Sequence, residues 1–205
     1  MNKRIKNLIS DFFSTEQRID TSKTDAPLSL AKALTNNLIK LDFNFDEPII
    51  TLCVGTDRST GDSLGPLVGT FLTPKLPPNY LVFGTLDQPV HAKNIKQFID
   101  KIEKHYPRSP VIAIDACLGR LESVGFITVG CGSLEPGAGV NKDLPPVGDI
   151  YIKGVVNVGG FMEYLVLQNT RLSLVMKMAK VISEGILKSF SMHNFSQQNL
   201  TPQRL

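Results

Sequence analysis

The stretch IITLCVGTDRSTGDSLGP, residues 49–66, decides the fold. Six residues with a single hydroxyl, Ile49 to Val54, read as a strand buried on two sides. A glycine-punctuated loop follows, and from Ser63 the pattern turns helical. Strand, loop and helix in that order is the outline of a phosphate-binding turn. Its chemistry is not. Gly55 and Gly61 enclose five residues, where a P-loop has four, and Asp62 stands where that motif places its lysine. A carboxylate there repels a phosphate. No G-x-G-x-x-G follows the strand either, so a dinucleotide turn is excluded. What is left is a carboxylate at the mouth of a parallel sheet, where open α/β sheets bind ligands. Capping the following helix is the competing role for Asp62, and an Asx turn is that for Asp57.

Working outward, short apolar runs alternate with helical segments. Runs at Ile49–Val54, Tyr80–Gly84, Val111–Asp115, Gly125–Val129 and Ile150–Val155 are separated by expected helices at Ser63–Leu72, Ala92–His105, Gly159–Leu167 and Arg171–Ser189. This order predicts a three-layer αβα fold with a mostly parallel central sheet. Residues 1–190 are expected to form one domain. Within it, 1–45 is an N-terminal helical segment packing on the rest of the domain. It holds an amphipathic helix at 4–13 and, after a polar connection from Ser14 to Asp25, a second near Leu28–Lys40. The stripe on the first helix either packs on the domain or docks a partner. Residues 191–205, rich in Asn and Gln, read as a flexible tail.

Two further segments carry chemistry. VIAIDACLGR, residues 111–120, ends its apolar run on Asp115, again at the carboxyl edge of a strand. If the 49–54 and 111–115 strands are neighbours, Asp62 and Asp115 converge, and a close pair of carboxylates tends to share one proton. Such a pair suits acid/base hydrolysis, or a divalent metal given a third ligand. A capped turn or a buried hydrogen bond is the alternative for Asp115. SLEPGAGVNKDL, residues 133–144, is a glycine-rich loop at the same edge. There Gly137 and Gly139, like Gly61, allow close backbone approach, Glu135 offers a third carboxylate and Lys142 a cation. An ordinary surface loop fits its composition equally well.

These three segments together, in this order, resemble the spore germination protease over roughly Pro48 to Gly160. That family is similar in fold to the hydrogenase maturation endopeptidases. Over the whole chain the sequence resembles the YyaC-like sporulation proteins of spore-forming Firmicutes. The resemblance implies an atypical aspartic-type endopeptidase with Asp62 and Asp115 as its catalytic pair and no bound metal or other cofactor. It also implies a protein or peptide substrate, with small acid-soluble spore proteins as the class, and residence in the cytoplasm of a forespore or mother cell. There are departures. Where the protease carries a histidine in the third segment, this chain has Glu135, and His91, His105 and His193 all lie outside the three segments. The first 47 or so residues do not match a propeptide. A non-catalytic sporulation factor that keeps the cleft to bind a peptide or partner is the rival reading.

Bulk composition narrows the rest. The 205 residues are 42% hydrophobic and 20% charged, with a net charge of +3 spread along the chain. Nucleic acid is therefore not an expected partner. No apolar run reaches the length of a membrane span, and Asp11 interrupts the basic N-terminus before a signal peptide could form. Self-association is left open. Cys53, Cys117 and Cys131 form no C-x-x-C pair, which argues for a reducing compartment and against a zinc knuckle. Cys117, two residues past Asp115, is a third candidate as a nucleophile, without a histidine near it in sequence.

Overall fold

A computed structural model describes residues 16–41, 47–136 and 144–198. In chain order these form β1 (Glu16–Asp20), α1 (Ala26–Lys40), β2 (Ile49–Cys53), a 3-10 turn at Gly61–Ser63, α2 (Leu64–Leu72), β3 (Tyr80–Phe83), α3 (Ile95–His105) and β4 (Val111–Gly119). A second 3-10 turn (Leu121–Ser123), β5 (Phe126–Cys131), β6 (Ile150–Val158), α4 (Glu163–Gln168) and α5 (Leu172–Gln198) complete them. None of the described helices is long and apolar enough to cross a membrane.

The six strands form one sheet in the order β1-β5-β6-β4-β2-β3. The pairs β2–β3, β2–β4 and β4–β6 are parallel, while β1–β5 and β5–β6 are antiparallel. Period-two alternation sorts the apolar side chains into two cores. Ile49 and Cys53 of β2 and Ile112 and Ile114 of β4 face the layer built by α1, α2 and α5. Ile50, Leu52 and Val54, with Val111 and Ala113, face α3 through Ile95 and Ile102. A strand covered on both faces has no polar side to show. The run IITLC, buried throughout, follows from that. The layered, mostly parallel α/β architecture expected from the alternating runs is the one observed.

Connectivity places a crevice. From β2 the chain passes through α2 to edge strand β3, then returns through α3, on the opposite face, to β4 on the other side of β2. Strand order therefore reverses between β2 and β4, and the carboxyl ends of these two strands form a topological switch point.

Several boundaries differ from the sequence expectation. The polar connection expected at Ser14–Asp25 contains β1, whose only buried residue, Ile19, packs with Ile127 and Val129 of β5. One inward side chain in EQRID is too weak an alternation to read. β4 runs on past Asp115 to Gly119 and β6 past Val155 to Val158, each sustained by pairing with the other. The segment expected to be helical from Gly159 is a turn until Glu163, entered through Met162 in the left-handed region (φ 55°). α5 continues to Gln198, beyond the expected end at Ser189 and into the stretch read as a tail. The helix expected at 4–13 lies outside the described residues.

Candidate functional site

The site grows from the end of β2. Gly55, with φ 144°, adopts a backbone that L side chains rarely take, and a Cβ there would stand 2.0 Å from the Asp62 carbonyl. The Thr56 amide donates to the same carbonyl at 3.1 Å. On the other side, a Cβ on Gly65 would stand 2.0 Å from the Val54 carbonyl. The loop is thus folded back tightly on the end of its own strand, and it delivers Asp62 in the 3-10 turn beside the mouth of β4.

Asp115 arrives from β4. It is the first residue beyond the β2–β4 pairing, which ends at Cys53 opposite Ile114. Its Oδ1 accepts the Ala116 amide at 2.8 Å, and across the strand its register partner on β6 is Lys153. By alternation Asp115 continues the Val111–Ala113 face and Asp62 comes off the α2 face. The two carboxylates approach the switch point from opposite layers of the fold.

Both line one cleft of about 1120 Å³. Its wall also includes Thr56, Arg58, Ser59, His91, Cys117 and Glu163. Ser59 is 5% exposed, and its hydroxyl has no hydrogen-bond partner among the described residues. Among the described residues, no three His, Cys, Asp or Glu side chains are placed to hold a metal ion. Asp62, Asp115 and His91 line the same cleft without forming a ligand cluster.

His91 is the residue that motif spacing missed. It follows Val90, which bridges Val54 in parallel fashion and so extends the sheet beyond β3. The turn is fixed by its neighbours. The His91 amide donates to Asn94 Oδ1 at 2.8 Å, and Asn94 Nδ2 donates to the Pro89 carbonyl at 3.0 Å. The Lys93 amide donates to His91 Nδ1 at 3.3 Å, which in the neutral ring leaves the proton on Nε2. The available signal was topological. A residue just past the carboxyl end of any parallel strand belongs to this edge, whether or not it falls in a recognised segment.

The other expected site residues are placed differently. Gly61 is buried, and a Cβ on it would meet Leu167 at 2.7 Å, so its smallness serves the packing of α4. Glu135 is exposed, while its neighbour Pro136 reaches the cleft wall. Gly137, Gly139 and Lys142 lie outside the described residues. Burial, with the nearby charge of Asp115 adding to it, pushes the Cys117 thiol up to about 11. At neutral pH it is a thiol, not the thiolate a nucleophile requires.

Comparison with known proteins follows the fold. A family model described as "Protein of unknown function (DUF1256)" matches residues 18–185. The uncharacterized protein YyaC of Bacillus subtilis (strain 168) is 51% identical over 198 residues, covering 94% of this chain and 95% of the relative. Among solved structures, the NiFe hydrogenase maturation protease HycI from Thermococcus kodakarensis KOD1 superposes with a TM-score of 0.50. That match has 18% sequence identity and covers 70% of this chain and 92% of the other. At that identity the likeness is one of fold.

Proposed function

The chain belongs to the family described as Protein of unknown function (DUF1256), and from that premise we propose that it is a peptidase-like hydrolase working through Asp62 and Asp115. The observation that carries this reading is that both carboxylates line one cleft at the switch point of the sheet. The protease-like fold supports it, as does the likeness of the three sequence segments to the germination protease. The sporulation setting, the forespore or mother-cell cytoplasm and small acid-soluble spore proteins as substrates rest on that same likeness.

In the proposed chemistry the pair holds one proton. The ionised carboxylate takes a proton from a water molecule as its oxygen attacks the scissile carbonyl carbon. The protonated partner donates to the carbonyl oxygen, and a tetrahedral intermediate forms. On collapse one hydroxyl of the intermediate returns its proton to the pair as the C–N bond breaks, and the leaving nitrogen takes up the proton the pair already held. The products are a new carboxyl terminus and a free amine, and the pair is back to a single proton. Rate should therefore fall on both sides of a pH optimum, where the pair carries two protons or none.

Digestion of an unstructured peptide library by the full-length protein, followed by mass spectrometry, tests the reading. Asp62→Asn and Asp115→Asn should each lower kcat/KM by roughly 100- to 10,000-fold and leave the thermal midpoint in place. The double variant should be about as slow as either single one, because the two groups act as a unit. Turnover that survives both substitutions would sink the pair as catalysts. A wild-type protein that binds peptides without cutting them would establish the non-catalytic cleft instead.

A further inference from the structure

β4 outlasts its neighbour. Pairing with β2 stops at Ile114, whose carbonyl accepts the Val54 amide at 2.7 Å. β2 then turns away, and the Gly55 amide bonds to the Val90 carbonyl on the far side. β4 continues for five more residues, Asp115 to Gly119, paired only with β6 among the described strands. All five are half-buried, whereas Val111 to Ile114 are buried.

Alternation fixes which way the peptide groups of this overhang point. The Pro110 and Ile114 carbonyls bond to β2, so the even-numbered residues face that side. The Gly119 carbonyl accepts the Gly159 amide at 2.8 Å, so odd-numbered residues still face β6 beyond the bulge at Cys117/Leu118. Ala116 and Leu118 are therefore next in line on the open side. The Ala116 amide is turned to the Asp115 carboxylate, which among the described residues leaves the Ala116 carbonyl and the Leu118 amide and carbonyl along the edge. Asp115, Ala116, Cys117 and Leu118 are consecutive residues of the cleft wall.

We infer that this overhang is a strand-addition site for an extended, apolar segment of polypeptide, laid into the cleft where β2 would have continued. The inference rests on the peptidase reading for what happens to that segment next. An unpaired strand edge is a template for a peptide backbone and for little else. Another part of the cleft wall supplies the side-chain preference. Met162 and Tyr164, 60% and 63% exposed, line the cleft together with Leu165, and Phe161 beside them is 87% exposed. Large side chains left in water at the rim of a cleft suit apolar residues of a ligand. Docking as a strand in this slot carries the peptide past Asp115 and Asp62, which line the same cleft, so recognition and the carboxylate pair share one line.

Backbone N-methylation tests this without perturbing the protein. Full-length Asp62→Asn protein, in which turnover is stopped, is titrated by fluorescence anisotropy with a fluorescein-labelled octapeptide of Val, Leu and Phe. Two derivatives carry N-methyl groups on two alternate central amides, one for each parity. We expect one parity to weaken binding about tenfold, as two backbone hydrogen bonds are lost, and the other to change it less than about threefold. An octapeptide of Gly and Ser should bind at least about tenfold more weakly, and Met162→Ser with Tyr164→Ser should remove that difference. Equal effects of the two parities, no binding of the apolar octapeptide, or tighter binding of a helix-locked analogue would overturn the inference. Cleavage by the wild-type protein with no parity effect would overturn strand addition and keep the peptidase. A parity effect without cleavage would keep strand addition and remove the peptidase.

Discussion

The two halves of β4 are one strand under two sets of rules. Val111 to Ile114 lie between β2 and β6 with helices on both faces, and Ile112, Ala113 and Ile114 are fully buried. Asp115 to Gly119 have β6 on one side and the cleft on the other. The first half is enclosed on every side, while the second keeps one side turned to the cleft. The polarity of the sequence changes where β2 stops, so a carboxylate sits at the first position the core can spare. Truncation should separate the halves. Ile114→Ala should cost about 2–5 kcal/mol in urea unfolding, against about 1 kcal/mol for Leu118→Ala, which is half-buried against the same core. Equal costs would mean that the overhang is packed as tightly as the core.

The contrast also depends on how closely the other side of the cleft is held to the end of β2. A Cβ at Gly65 would press on the Val54 carbonyl and its peptide group, backbone that cannot step aside. Gly65→Ala should therefore cost about 1–3 kcal/mol. It should also reduce peptide turnover or binding by more than the lost folded fraction explains, because the turn carrying Asp62 must shift with α2. Unfolding and activity measured on the same sample decide this. Lost stability with normal specific activity would show that the position of Asp62 does not depend on this contact.

How much of this was legible in the sequence follows from where each signal lives. Runs such as IITLC and VIAI announce buried parallel strands because burial on both faces leaves no polar alternation. Asp115 stands out as a carboxylate directly after one such run, and Asp62 as one in the loop that follows the other. β1 was hidden because a single inward residue, Ile19, carries its packing, and its partner β5 is more than 100 residues away. The length of β4 was hidden for a related reason. DACLG has no strand-like pattern of its own and is held extended by β6. His91 was overlooked because it belongs to no motif, and only the Val54–Val90 bridge brings it to the edge. Gly61 illustrates the converse. A glycine in a motif suggested room for a ligand, while the structure uses its size to seat Leu167.

The smallest expected effect at neutral pH belongs to Cys117, and it reports on the overhang directly. Its thiol sits on the half-exposed stretch, yet burial and the charge of Asp115 push it up to about 11, while Lys153 pulls it part of the way back. In the unfolded chain the thiol ionises near the ordinary value of 9.0. The unfolded state therefore loses its proton first as pH rises. The stabilisation is complete below about pH 9 and is lost as pH climbs through about 11. Cys117→Ser should match the wild type in urea unfolding at pH 7 and lose less stability than it does between pH 9 and 11. Iodoacetamide should react slowly with Cys117 at pH 7.5 and leave peptide turnover unchanged. An added apolar octapeptide should slow that reaction further, because the cleft that Cys117 lines would be filled. Fast alkylation at neutral pH that abolishes turnover would instead make the overhang a site of thiolate chemistry, and the carboxylate pair would lose its place as the reacting groups.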